Sequence, residues 1–177
     1  MKLLIAVVLC FSMSSETASA TWFARIDSGG KLIVTGVATN PDTTNTAVYL
    51  TCSGKLLTIE VLTINNAQAD DLPTYRGTKI ILGYKTRDGD QKKMGLDAEP
   101  IVSAGGALSI RATITEEQSA AIYTSVARGT KLDVELVHPE LSEDTGIKRV
   151  LADGFSTTLS AMAANCPGLG GSWPVKP

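Results

Sequence analysis

The sequence predicts a mainly β fold: an antiparallel β-sandwich of about eight strands, with one short internal helix and a C-terminal helix. Three observations carry this expectation. Apolar residues recur with period two through residues 47–61, 107–114 and 131–137, the mark of strands with one buried face. Turn-forming pairs such as Gly29-Gly30, Asp88-Gly89 and Gly105-Gly106 separate the alternating runs, as hairpins require. Strands do not alternate with long helices, so a doubly wound parallel sheet is not expected.

The most informative run is 47–61. Val48, Leu50 and Cys52 alternate with polar or intermediate neighbours, Ser53-Gly54 interrupts, and Leu57, Ile59 and Val61 resume the period. A two-residue loop at Ser53-Gly54 pairs Cys52 with Lys55, Leu50 with Leu57 and Val48 with Ile59, with all these partners on one face.

The N-terminus reads as an export signal. Lys2 precedes an apolar run from Leu3 to Phe11, and a small, polar stretch closes on Ala18-Ser19-Ala20, an A-x-A cleavage site. A membrane anchor needs roughly 18 or more apolar residues, more than this run holds. A lipoprotein reading would use Cys10, but bulky Leu9 sits where lipid-attachment signals want Gly or Ala. The expected organisation is a signal peptide over residues 1–20, a single β-rich domain over 21–166 and a flexible tail over 167–177. The expected compartment is periplasmic or extracellular, with no transmembrane segment after cleavage.

A single domain of roughly 100–200 residues suits the remaining length. The net charge is -2, with no block of like charges and no basic patch, which argues against a nucleic-acid partner. A basic amphipathic membrane helix is missing too. Of the three cysteines, Cys10 would leave with the signal. Cys52 and Cys166 then form an even pair in an oxidising compartment, so a disulfide is expected; two buried free thiols are the alternative. Closing so long a loop stabilises by roughly 4–5 kcal/mol in the chain-entropy model.

Taken in order, residues 21–27 and 31–38 read as strands about a Ser28-Gly29-Gly30 turn, with Trp22 as core or sheet-edge cover. Asn40 to Asn45 is a turn-forming linker. After the central hairpin, Asn65 to Pro73 reads as a polar loop, 76–86 as a strand and 92–98 as a weaker return strand. Pro100 to Gly106 leads into a strand whose Leu108, Ile110, Ala112 and Ile114 share one face. Thr115 with Gln118 forms a capping box, with Glu116 and Glu117 at the helix N-terminus, for a short helix that Gly129 stops. Residues 131–137 alternate most strictly, and His138-Pro139 ends them, because proline cannot donate to the ladder. A last strand spans 147–151. Asp153 then caps a final helix on which Phe155, Leu159, Met162 and Cys166 fall on one stripe.

Chemistry-bearing patterns are few. His138 is the one histidine, and neither a Gly-x-Ser-x-Gly elbow nor a spare nucleophilic cysteine accompanies it. One histidine and two scattered cysteines do not make a zinc site. Asp88-Gly89-Asp90 resembles the start of a calcium loop, but Lys92 takes a ligand position and a hairpin turn explains it better. Gly168-Leu169-Gly170-Gly171 follows a helix, the wrong context for a phosphate cradle. Asp70-Asp71 and Glu116-Glu117 are pairs that solvent or a helix cap explains. No cofactor and no metal are expected.

The order of parts carries a resemblance. An early tryptophan strand, a Tyr49-Leu50-Thr51-Cys52 hairpin and a Tyr75-Arg76 strand come first. A short helix before Lys131-Leu132-Asp133-Val134 follows, then a Gly154-Phe155…Leu159…Cys166 helix. It resembles the small periplasmic VasI-type proteins associated with type VI secretion and, more distantly, IalB-like proteins. Pro167 stands where the VasI type has tryptophan, and the extra cysteines of the IalB type are missing. The resemblance implies a non-enzymatic envelope protein with a Cys52–Cys166 disulfide.

Two functional expectations follow. One is an exported accessory or interaction module whose partner is another envelope or secreted protein. The other is a secreted inhibitor of a hydrolase, a protease or lysozyme, inserting the Asn65 to Pro73 loop or the Trp173 tail. A third, enzymatic reading requires a pocket that collects His138 with carboxylates or a hydroxyl.

Overall fold

The computed structural model describes residues 20–39, 45–53, 56–86, 88–127, 132–139 and 148–150, together with Thr158, Ala161 and Met162. Ten strands lie within them: β1 (Ala20–Ile26), β2 (Leu32–Thr39), β3 (Asn45–Ser53), β4 (Leu56–Asn66), β5 (Lys79–Lys85), β6 (Gln91–Asp97), β7 (Glu99–Val102), β8 (Ala107–Ile114), β9 (Leu132–Val137) and β10 (Lys148–Val150). One helix, α1 (Glu116–Ala127), separates β8 from β9. The strands form a six-stranded sheet in the order β1-β2-β3-β4-β8-β7 and a four-stranded sheet in the order β10-β9-β5-β6. Every pairing is antiparallel. The β-rich, sandwich-like arrangement is the expected one, built from more strands.

Local chemistry explains the turns. At the β1–β2 turn the Asp27 carboxylate accepts the backbone N–H of Gly29 and of Lys31, each at 2.9 Å, and Gly30 takes φ +76°. That left-handed backbone is one a side chain rarely tolerates. At the start of α1 the capping box forms as expected: Gln118 accepts the Thr115 N–H at 2.8 Å, and the Thr115 hydroxyl accepts the Gln118 N–H at 3.3 Å.

Three expectations need correction. The β3–β4 hairpin pairs Leu50 with Ile59, Cys52 with Leu57 and Ser53 with Leu56, so residues 54–55 lie between the strands, not Ser53-Gly54. A shift of two residues keeps every side chain on the same face, so the apolar pattern allows both registers. Residues 99–102 form β7, paired with β8 from Glu99–Arg111 to Val102–Leu108. Pro100 to Gly106 was expected only to lead into the next strand, yet β7 is the sheet's edge strand, where a missing N–H costs no ladder bond. Asn65 to Pro73 is not an open loop either. Strand β4 runs through Asn66, and Ala69–Tyr75 is a 3₁₀ helix. Leu72 and Tyr75 pack against the core from it, three residues apart, as its three-residue turn requires.

The core lies between the sheets. From the larger come Val34, Val48, Leu50, Ile59, Val61 and Ile110; from the smaller, Ile80, Leu82, Leu96, Leu132, Val134 and Leu136. Trp22 is buried with them, 3 % exposed. Ile122 of α1 is buried in the same core. Of the expected C-terminal helix, Thr158, Ala161 and Met162 are helical, and Met162 is buried; Phe155, Leu159 and Cys166 lie outside the described residues, as do the expected leader, the Asn40 linker and the tail. No helix among the described residues is long and apolar enough to cross a membrane.

Leu50, 1 % exposed, and Ile26, 60 % exposed, give a paired test of this core. Leu50→Ala should lower unfolding free energy by about 2–5 kcal/mol, and Ile26→Ala by about 0.5 kcal/mol or less, measured by urea denaturation. Equal effects would contradict the assignment of faces.

Candidate functional site

The site emerges from the strand phase opposite the core. In β4 the residues Leu57, Ile59 and Val61 point inward, so Thr58, Glu60 and Leu62 point outward. Antiparallel register then lines outward residues up across the sheet. Phe23, Thr35, Tyr49, Glu60, Arg111 and Glu99 form one continuous row. A neighbouring row carries Leu62, Ser109 and Ile101.

Tyr49, Glu60 and Arg111 of the first row and Leu62 and Ile101 of the second, with Arg25, Ile33 and Thr51 of the next row along, line a groove of about 610 Å³. Every strand of the six-stranded sheet contributes to it, from Arg25 on β1 to Ile101 on β7, and residues 103–105 form one wall. That wall is the β7–β8 turn. It closes through the Ser103 N–H donating to the Ala107 carbonyl at 2.8 Å and the Gly106 N–H donating to the Ser103 carbonyl at 2.9 Å, with Gly106 at φ +79°. Ile33, Tyr49, Leu62 and Ile101 supply a half-buried apolar floor. Ser109, between Leu62 and Ile101, is fully buried, and its hydroxyl has no partner among the described residues.

Charge in the groove runs against that of the chain. Arg25, Lys31 and Arg111 line it, against Glu60 as its carboxylate. The Arg111 guanidinium donates to Glu60 Oε2 from Nη2 at 2.8 Å and from Nε at 3.3 Å. Glu60 is the more buried partner, its side chain 15 % exposed against 42 % for Arg111. Arg25 and Lys31 take part in no ion pair among the described residues. Beyond Arg111 a second depression of about 550 Å³ is lined by Asp97, Glu99 and Thr113 among others, so Arg111 separates a basic hollow from an acidic one.

The residues singled out from sequence lie elsewhere. His138 follows β9, half-buried, and its Nε2–H donates to the Arg76 carbonyl at 2.9 Å. This bond ties the end of β9 to the entry of β5, and His138 lines neither hollow. Cys52 is buried on the core face of β3 and is disulfide-bonded; Cys166 and Trp173 lie outside the described residues. Asp88-Gly89-Asp90 sits in the β5–β6 turn, where Gly89 takes φ +97° and the Asp90 N–H donates to the Thr86 hydroxyl. Asp71 accepts the Gln68 N–H at the start of the 3₁₀ helix. No group of three or more metal-ligating side chains occurs among the described residues. The one available signal of the groove was Ile33, Tyr49, Leu62 and Ile101, apolar at the phase a solvated sheet face fills with polar residues.

Compared with known protein families, curated proteins and solved structures, the chain finds no match.

The Arg111–Glu60 pair spans two strands and is partly exposed, which keeps its contribution small. A double-mutant cycle on Arg111→Met and Glu60→Gln should give a coupling of about 0.5–1 kcal/mol at low salt. In 1 M NaCl screening should shrink it to about half or less. A coupling of zero at low salt would show that the pair does not order this face in solution.

Proposed function

We propose that this chain is an exported, non-catalytic accessory protein of the cell envelope that binds another envelope or secreted protein through the groove on its six-stranded sheet. The observation that carries the reading is the half-buried apolar floor of Ile33, Tyr49, Leu62 and Ile101 on a sheet face directed away from the core. Solvent-facing sheet surfaces are ordinarily polar, and concave apolar patches with a charged rim are what protein partners bury. The leader-like residues 1–20 support export, and the resemblance to VasI-type proteins supports an envelope role.

A Cys52–Cys166 disulfide belongs to the same proposal. Cys52 is bonded, the other cysteines are Cys10 and Cys166, and Cys10 falls in the proposed leader. The bond would staple β3 to the end of the chain, fixing the scaffold under the groove without entering it.

The test is crosslinking in the producing cell, followed by purification from the envelope fraction. The exported chain should begin at Thr21, carry a Cys52–Cys166 crosslinked peptide and retain one specific protein. Leu62→Ser with Tyr49→Ala, which removes the floor, should cut its recovery by about tenfold. Recovery unchanged by the floor variant would overturn the groove as the interface.

A further inference from the structure

We infer that the groove receives an extended, acidic peptide segment laid across the strands, with two carboxylates on one face and apolar side chains between them. The inference rests on the proposed role as a binding module and names the chemistry of its partner.

Charge supplies the first reason. Arg25 and Lys31 stand at one end of the hollow with no ion pair among the described residues, in a chain whose net charge is -2. At the other end Arg111 spends Nε and Nη2 on Glu60. Its remaining guanidinium hydrogens stay available, because the side chain is 42 % exposed. A guanidinium can serve a second carboxylate in this way.

Spacing supplies the second. The strand order β1-β2-β3-β4-β8 puts four strand intervals between Arg25 and Arg111, about 19 Å at roughly 4.8 Å each. An extended chain rising about 3.3 Å per residue covers this in about six residues. Side chains alternate, so positions i and i+6 share a face with i+2 and i+4. The fitting pattern is acidic-x-apolar-x-apolar-x-acidic. Its central side chains meet Ile33, Tyr49 and Leu62, and its ends meet Arg25 with Lys31 and Arg111. A bilayer is flat and does not enter a concave hollow. Single-stranded nucleic acid binds on successive aromatic platforms, and Tyr49 is the one aromatic residue in this lining.

The probe is a fluorescein-labelled heptapeptide, Glu-Ser-Val-Ser-Val-Ser-Glu, titrated by anisotropy against the exported protein with its disulfide intact. The expected result is binding about tenfold tighter than that of the same peptide with Gln at both ends. Raising NaCl from about 20 mM to about 300 mM should weaken it. Arg25→Glu with Lys31→Glu should weaken it about tenfold, and the milder Arg25→Gln with Lys31→Gln should fall between. Both pairs alter exposed side chains, and their melting temperatures should stay within about 2 °C of the parent. Equal affinity for the Glu and Gln peptides, indifference to both charge variants, or tighter binding of a thymidine heptanucleotide or phosphatidylglycerol vesicles would overturn the inference. Capture of the envelope partner that falls with the floor variant but not with either charge variant would overturn the carboxylate assignment alone. The groove would then stand as an interface.

Discussion

The antiparallel ladder through β3, β4 and β8 decides what every other part of the molecule faces. Along it Leu50, Ile59 and Ala112 are opposed on the core side, while Tyr49, Glu60 and Arg111 are opposed on the other. A slip of one residue between any two of these strands would turn a whole row over. Ile59, fully buried here, would go to solvent, and the Glu60 carboxylate would enter an apolar core without its guanidinium. Burying an unpaired charge costs several kcal/mol even after relaxation. One register therefore satisfies both faces, and the core and the groove are two sides of the same constraint.

The margins of the sheets are handled by ordinary means. Strand β6 exposes Lys92 and Lys93 on the edge of the smaller sheet, and β7 carries Pro100 on the edge of the larger. Charge and proline on edge strands discourage pairing with another chain. Strand β1 has neither lysine nor proline, and exposes Phe23 and Ile26. Its Arg25 belongs to the groove, so the one charge on this edge already has a place in the proposed interface.

Much of the architecture was legible where the signal was local. Strand β8 and the Thr115–Gln118 capping box declare themselves within a few residues, because period-two burial and N-cap geometry need no distant partner. The hairpin register was not, since a shift of two residues leaves the apolar pattern unchanged and only the turn decides. Strand β7 was hidden by Pro100, whose penalty disappears on an edge. The 3₁₀ helix was hidden by the polar Asp70-Asp71 pair, while Leu72 and Tyr75 did the anchoring. The groove was the least legible feature. It depends on β4 lying beside β8, and on Glu60 meeting Arg111 across a separation of 51 residues. His138 drew notice as the chain's one titratable imidazole, yet its bond to the Arg76 carbonyl gives it a place in the β9–β5 junction.

An apolar core on one side of the larger sheet and a charged, apolar-floored hollow on the other are what the proposed partner-binding role uses. That use stands or falls with the ladder. Solution NMR on the isotope-labelled protein tests it most directly, through backbone interstrand contacts along β4. Contacts placing Ile59 opposite both Leu50 and Ala112 are expected. Contacts placing Leu57 opposite Leu50, or β4 beside β5, would contradict it.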